Sequence, residues 1–102
     1  MKIPKSVKVG KTKIDVQQPD GFKLDKNVCR GAYYRSNNTI IVAKGNPERN
    51  YLYDADERAS TFWHELTHVI LQDMGERRLN ANERFVSEFS DRLHQAIKTA
   101  RF

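Results

Sequence analysis

Apolar positions in this chain first alternate and later recur at helical spacing, and the change of period falls between Gly45-Asn46-Pro47 and Ala55. From Lys5 to Gln17, Val7 and Val9 share one phase, Gly10-Lys11 breaks the pattern, and Ile14 and Val16 take the next alternating face, which predicts a hairpin. Pro19-Asp20-Gly21 reads as a turn, Phe22-Lys23-Leu24 as a short ambiguous alternation, and Asp25-Lys26-Asn27 as another loop. Val28 to Arg35 and the β-branched run Thr39 to Ala43, separated by Ser36-Asn37-Asn38, predict a second hairpin. Gly45-Asn46-Pro47 then stops the strand region.

Beyond it, Ala55, Ala59, Phe62, Trp63, Leu66, Val69 and Ile70 form one broad apolar face, predicting a helix from about Ala55 to Met74. Asp54 with Glu57 three residues later fits a capping box, and Gly75 marks the helix end. A second helical face starts after Asn80 or Asn82 and uses Val86, Phe89, Leu93 and Ile97, widened by Phe85. A β-rich half followed by two main helices predicts an α+β fold, with a small antiparallel or mixed sheet of three to four strands packed on the helices.

The 102 residues suit one domain spanning 1–102, with no room for a separate substrate domain. So small a core is modest, and Cys29, the only cysteine, offers neither a disulfide nor a cysteine-rich zinc finger. Any stabilising metal would have to be held by histidine and carboxylate. A single cysteine, no signal-like opening and no long aliphatic run point to a cytoplasmic chain without a membrane span. The net charge of +5 is uneven: residues 1–35 carry nine Lys/Arg against three Asp, and residues 36–102 carry nine basic against ten acidic side chains. Such a basic third can attract an acidic protein partner or make weak nonspecific contact with nucleic acid, and charge alone specifies neither.

The segment carrying chemistry is His64-Glu65-Leu66-Thr67-His68, inside the longer predicted helix. Histidines four apart share a helix face and can direct two imidazole nitrogens to one Zn2+. Glu65 begins the next facet. From there its carboxylate can accept a proton from a zinc-activated water that attacks a carbonyl, and pass it to the departing amine. A catalytic zinc needs a further protein ligand, histidine or carboxylate. The remaining histidine, His94, lies eleven residues beyond Glu83 and about 16 Å farther along a straight helix, too far for one ion to bind both. Glu83, three positions before Val86, falls near the core-facing side and is the preferred third ligand. Glu88, about 200° around from Val86, is the reserve. Asn80, Asp73 and Asp91 are candidates to receive an imidazole N–H, and Tyr33, Tyr34, Tyr51 or Tyr53 to supply a hydroxyl to the reacting carbonyl.

On these residues, together with Gly31-x-Tyr33 before Ile40-x-Val42, the chain resembles short phage-type zincin-like metallopeptidases, broadly related to the ImmA/IrrE-type metallo-endopeptidases. The resemblance implies a sheet plus helices, a sheet edge beside the zinc cleft that binds an extended peptide, and two histidines with a downstream acidic ligand. It also suggests host cytoplasm as the setting if the chain is phage-encoded. The expected activity is a zinc-dependent peptidase, an endopeptidase acting as a monomer on a peptide or protein. The rival expectation is a noncatalytic zinc-stabilised protein that contacts nucleic acid or an acidic partner.

Overall fold

In the computed structural model, which describes residues 1–102, the first alternating segment is a hairpin: β1 (Ser6–Val9) pairs antiparallel with β2 (Thr12–Gln17), Val7 facing Ile14. Gly10 turns it with a φ of +58°, where a side chain would be strained. The ambiguous stretch that follows is a second, minimal hairpin, β3 (Lys23–Leu24) on β4 (Asn27–Val28), turned by Asp25 and Lys26, both with positive φ. Two residues per strand are too few to establish a period. Next, β5 (Gly31–Tyr34) pairs antiparallel with β6 (Thr39–Val42) through a 3-10 turn at Arg35–Asn37. The Gly45-Asn46-Pro47 breaker is itself a small ladder, β7 (Gly45–Asn46) against β8 (Tyr51–Leu52), with a 3-10 turn at Pro47–Arg49.

The main sheet is mixed, in the order β1-β2-β6-β5. Its two hairpins meet along one parallel seam, Asp15–Gln17 beside Thr39–Ile41. All four residues of β6 are buried, as expected of an internal strand, and three of them, Ile40, Ile41 and Val42, are apolar. β5 ends the sheet and leaves one backbone edge unpaired.

Three helices follow: α1 (Ala55–Asp73), α2 (Arg77–Ala81) and α3 (Glu83–Thr99). The capping box is present, with the Asp54 carboxylate accepting from Glu57 N–H and Glu57 accepting from Asp54 N–H. Phe62 and Val69 of α1 join Ile14, Ile40 and Val42 of the sheet in the buried core, and Val7, Val9, Val16, Tyr33 and Leu66 pack around it. Burying one such side chain fully stabilises by about 1.5–3 kcal/mol. Gly31 lets β5 approach α1 closely, because a Cβ there would stand 2.5 Å from the Ile41 carbonyl oxygen and from Thr61 Cγ2. That proximity brings the free sheet edge beside the helix face that carries Glu65.

Gly75 stops α1 with a φ of +75°, its N–H donating to Gln72 O while Glu76 N–H donates to Leu71 O, the bonding of a Schellman cap. The chain turns through α2, too short for a periodic signal, and Asn82 starts α3 by accepting from Phe85 N–H. The apolar face expected on α3 is only partly correct. Val86 is fully buried, but Phe89 and Ile97 are 48% and 50% exposed, and Ser90 takes the inner position instead. A small residue there fits where two helices pack, and its hydroxyl is satisfied by Ser87 O at 3.2 Å. Phe85 and Phe89 stack on each other, with ring centroids 5.7 Å apart. No helix is long and apolar enough to cross a membrane.

Candidate metal centre

The turn through α2 reverses the chain, so that the first residue of α3 returns to the middle of α1. There Glu83 Oε2 stands 3.3 Å from His64 Nε2 and Glu83 Oε1 3.0 Å from His68 Nε2. One donor atom from each of the three residues lies within 4.8 Å of the others. Two ligand atoms bound at about 2.0–2.1 Å to one tetrahedral ion are about 3.3 Å apart, close to both nitrogen–oxygen separations. The histidines are half-buried, whereas the Glu83 side chain is 67% exposed, so the cluster opens to solvent on the α3 side.

Asn80, delivered by α2, fixes the orientation of His68: its Oδ1 lies 2.6 Å from Nδ1. With Nδ1–H donating to that oxygen, Nε2 of His68 is left facing Glu83 Oε1 at 3.0 Å, where an ion held by both would sit. The neighbouring imidazole of His64 is held below its ordinary pKa by burial and by His68, against the opposing pull of Glu83, which favours its neutral, metal-binding form. The donor set therefore fits a divalent ion such as zinc. Asn80→Ala, which leaves all three donors in place, is expected to weaken zinc affinity about 10–100-fold, measured against a competing chelator.

Glu65 is not one of the three. Its carboxyl lines two cavities that flank the cluster. One, of about 270 Å³, is lined by Arg30, Gly31, Ser60, Thr61, His64 and Glu65. The other, of about 320 Å³, is lined by Tyr33, Arg35, Glu65, His68, Gln72 and Asn80. Burial, reinforced by the Glu83 charge and opposed by His68, pushes the Glu65 carboxyl up to about 7.

The other candidates disperse. Glu88 pairs with Arg84, 3.4 Å away on its own helix, and plays no part in the cluster. His94 lies at the far end of the helix pair, where Asp56 Oδ1 is 3.4 Å from its Nε2 and 2.9 Å from Lys98 Nζ. Asp73 faces Gly10, while Asp91 reaches His64 only through its charge. Of the tyrosines, Tyr33 alone shares a cavity with Glu65 and His68. Tyr34 packs edge-on against Phe22, Tyr51 donates to Glu57 at 2.7 Å, and the Tyr53 ring lies under Arg30. Thr67 is buried and donates to Trp63 O, a bond within α1.

Arg30, Arg35, Ser60, Thr61 and Gln72 were not legible as site residues. Arg30 and Arg35 bracket β5, and that position at the two ends of an edge strand is the one signal that could have marked them. Comparison of the chain with models of protein families, with curated proteins and with solved structures found no match, so the reading of this centre rests on its own geometry.

Proposed function

We propose that this chain is a zinc-dependent metallopeptidase, built as a minimal zincin-like domain over residues 1–102, with His64, His68 and Glu83 as the metal ligands and Glu65 as the general base. The observation that carries the proposal is Glu65. A metal that only braces two helices has no use for a half-buried carboxyl beside it that is not one of its ligands and opens to two cavities. Zinc, when bound, supplies Lewis acidity that makes water a better nucleophile and polarises a carbonyl.

The chain's own groups supply the rest. The unpaired edge of β5 can take an extended peptide as an added strand, and the close packing at Gly31 sets that strand against the helix carrying Glu65. Glu65 removes a proton from water as the oxygen–carbon bond forms, then returns it to the amide nitrogen as the carbon–nitrogen bond breaks. In the metal-free chain burial raises its carboxyl above the ordinary carboxylate range, which makes it a stronger base than an exposed glutamate. Tyr33 and Arg35 line the cavity of Glu65 and His68, and in this reading one of them supplies a hydroxyl or guanidinium to the carbonyl oxygen. The similarity to short phage-type and ImmA/IrrE-type enzymes agrees with this ligand set and forms part of the proposal.

The test is incubation of the zinc-loaded protein with a random peptide library in ¹⁸O-labelled water. Internal cleavage with one label in each new carboxyl terminus, blocked by chelator and restored by zinc, is the expected result. Stoichiometric zinc without cleavage of any library member would overturn it.

A further inference from the structure

Towards the start of α1 from the metal centre lies a cavity of about 460 Å³, lined by Arg30, Arg49, Tyr51, Tyr53 and Glu57 among others. It adjoins the cavity of His64 and Glu65 and shares Arg30 with it. Its one carboxylate is already committed. Glu57 Oε1 accepts from the Tyr51 hydroxyl at 2.7 Å and from Asp54 N–H at 3.1 Å, and Oε2 stands 3.5 Å from Arg30. Arg30 is held in addition over the Tyr53 ring, 5.2 Å from its centroid. Arg49 projects from the 3-10 turn between β7 and β8 and has no carboxylate partner, its neighbour Glu48 pairing with Lys23.

Two guanidinium groups, one fixed and one free, thus face a cleft whose own acid is spent. Guanidinium recognises carboxylate through paired N–H donors. The position is informative too. Glu57 and His64 are seven residues apart on α1, about 10.5 Å along its axis, and an extended chain covers that distance in about three residues.

We infer that this cavity is a carboxylate-binding subsite, and that the peptide cut at the metal centre carries an acidic group, side-chain or terminal, about three residues from the scissile bond. The identity of the ligand as a peptide substrate rests on the peptidase reading. The preference for carboxylate does not.

Three hexapeptides, each a chain of alanines with one variable residue, serve as probes in an ¹⁵N NMR titration of the full chain. One has an internal Glu and an amidated end, one an internal Gln and an amidated end, and one an internal Gln and a free carboxylate. Either carboxylate peptide is expected to bind about tenfold tighter than the Gln amide, with shifts centred on residues 45–57, and the pair that differs identifies which source is read. Arg49→Gln should remove most of that preference and Arg49→Glu all of it, at an unchanged melting temperature because Arg49 is exposed. Equal affinity for all three peptides, or a preference that survives Arg49→Glu, would overturn the inference. No turnover is needed. Selective binding without hydrolysis counts against the peptidase reading alone, and hydrolysis indifferent to carboxylate counts against the subsite alone.

Discussion

Glu65→Gln is expected to bind zinc as the unaltered chain does and to hydrolyse peptide about 10²–10⁴-fold more slowly, the range spanned by a positioned general base. Glutamine has nearly the volume of glutamate, so the cavities on either side of residue 65 keep their shape, and none of the three donors is touched. What disappears is the ability to hold a proton between the attack of water and the departure of the amine. The substitution also removes a carboxyl that burial and Glu83 already disfavour in its charged form, so the metal-free variant should melt at the same temperature as the parent or higher. Elemental analysis, thermal melting and single-turnover cleavage of a quenched peptide read the three properties separately. Full activity in a zinc-replete Glu65→Gln chain would remove Glu65 from the mechanism.

Zinc should raise the melting temperature substantially. His64 and His68 sit on α1 and Glu83 on α3, so the complete donor set exists only when the two helices are docked. A ligand at 100 times its dissociation constant stabilises the native state by about 2.7 kcal/mol, and for a domain of this size each kcal/mol moves the midpoint by about 4–8 °C, which gives a rise on the order of 10–20 °C. Residual binding to the histidine pair in the unfolded chain, which remains close in sequence, trims the upper end of that range. Addition of a chelator should reverse the rise, and His64→Ala should leave little of it. The apolar core of Phe62 and Val69 against Ile14, Ile40 and Val42 involves none of the metal donors, so the metal-free chain keeps a folded baseline from which to measure. A midpoint unmoved by excess zinc, or a rise undiminished in His64→Ala, would show that the cluster is not the binding site.

The parts legible in the sequence were those fixed by short-range chemistry. Asp54 and Glu57 cap α1 because the box needs only a three-residue offset, Gly75 ends it because a positive φ favours glycine, and His64 and His68 share a face because a helix repeats every 3.6 residues. Glu83 was reachable by one further step, its angular relation to Val86. The parallel pairing of β2 with β6 was open in the sequence, since alternation gives the facing of a strand and says nothing of which strand lies beside it. Asn80 could be named as a candidate but not placed, because α2 has five residues and its docking under His68 depends on the exact length of the turn after Gly75. The exposure of Phe89 and Ile97 escaped for a related reason. Apolar spacing marks a helical stripe, and only tertiary packing decides whether the stripe or the small residue beside it faces inward.

The seam between β2 and β6 also bears on how the chain reaches this form. Each flanking hairpin closes over a short loop, a microsecond event, whereas Asp15 must wait for Thr39 across more than twenty intervening residues. During synthesis the β1–β2 hairpin therefore leaves the ribosome with the β2 edge at Asp15–Gln17 unpaired until β6 follows. Lys5, Lys8, Lys11 and Lys13 put like charge along that hairpin, and like charge disfavours edge-to-edge pairing of two copies before the proper neighbour arrives.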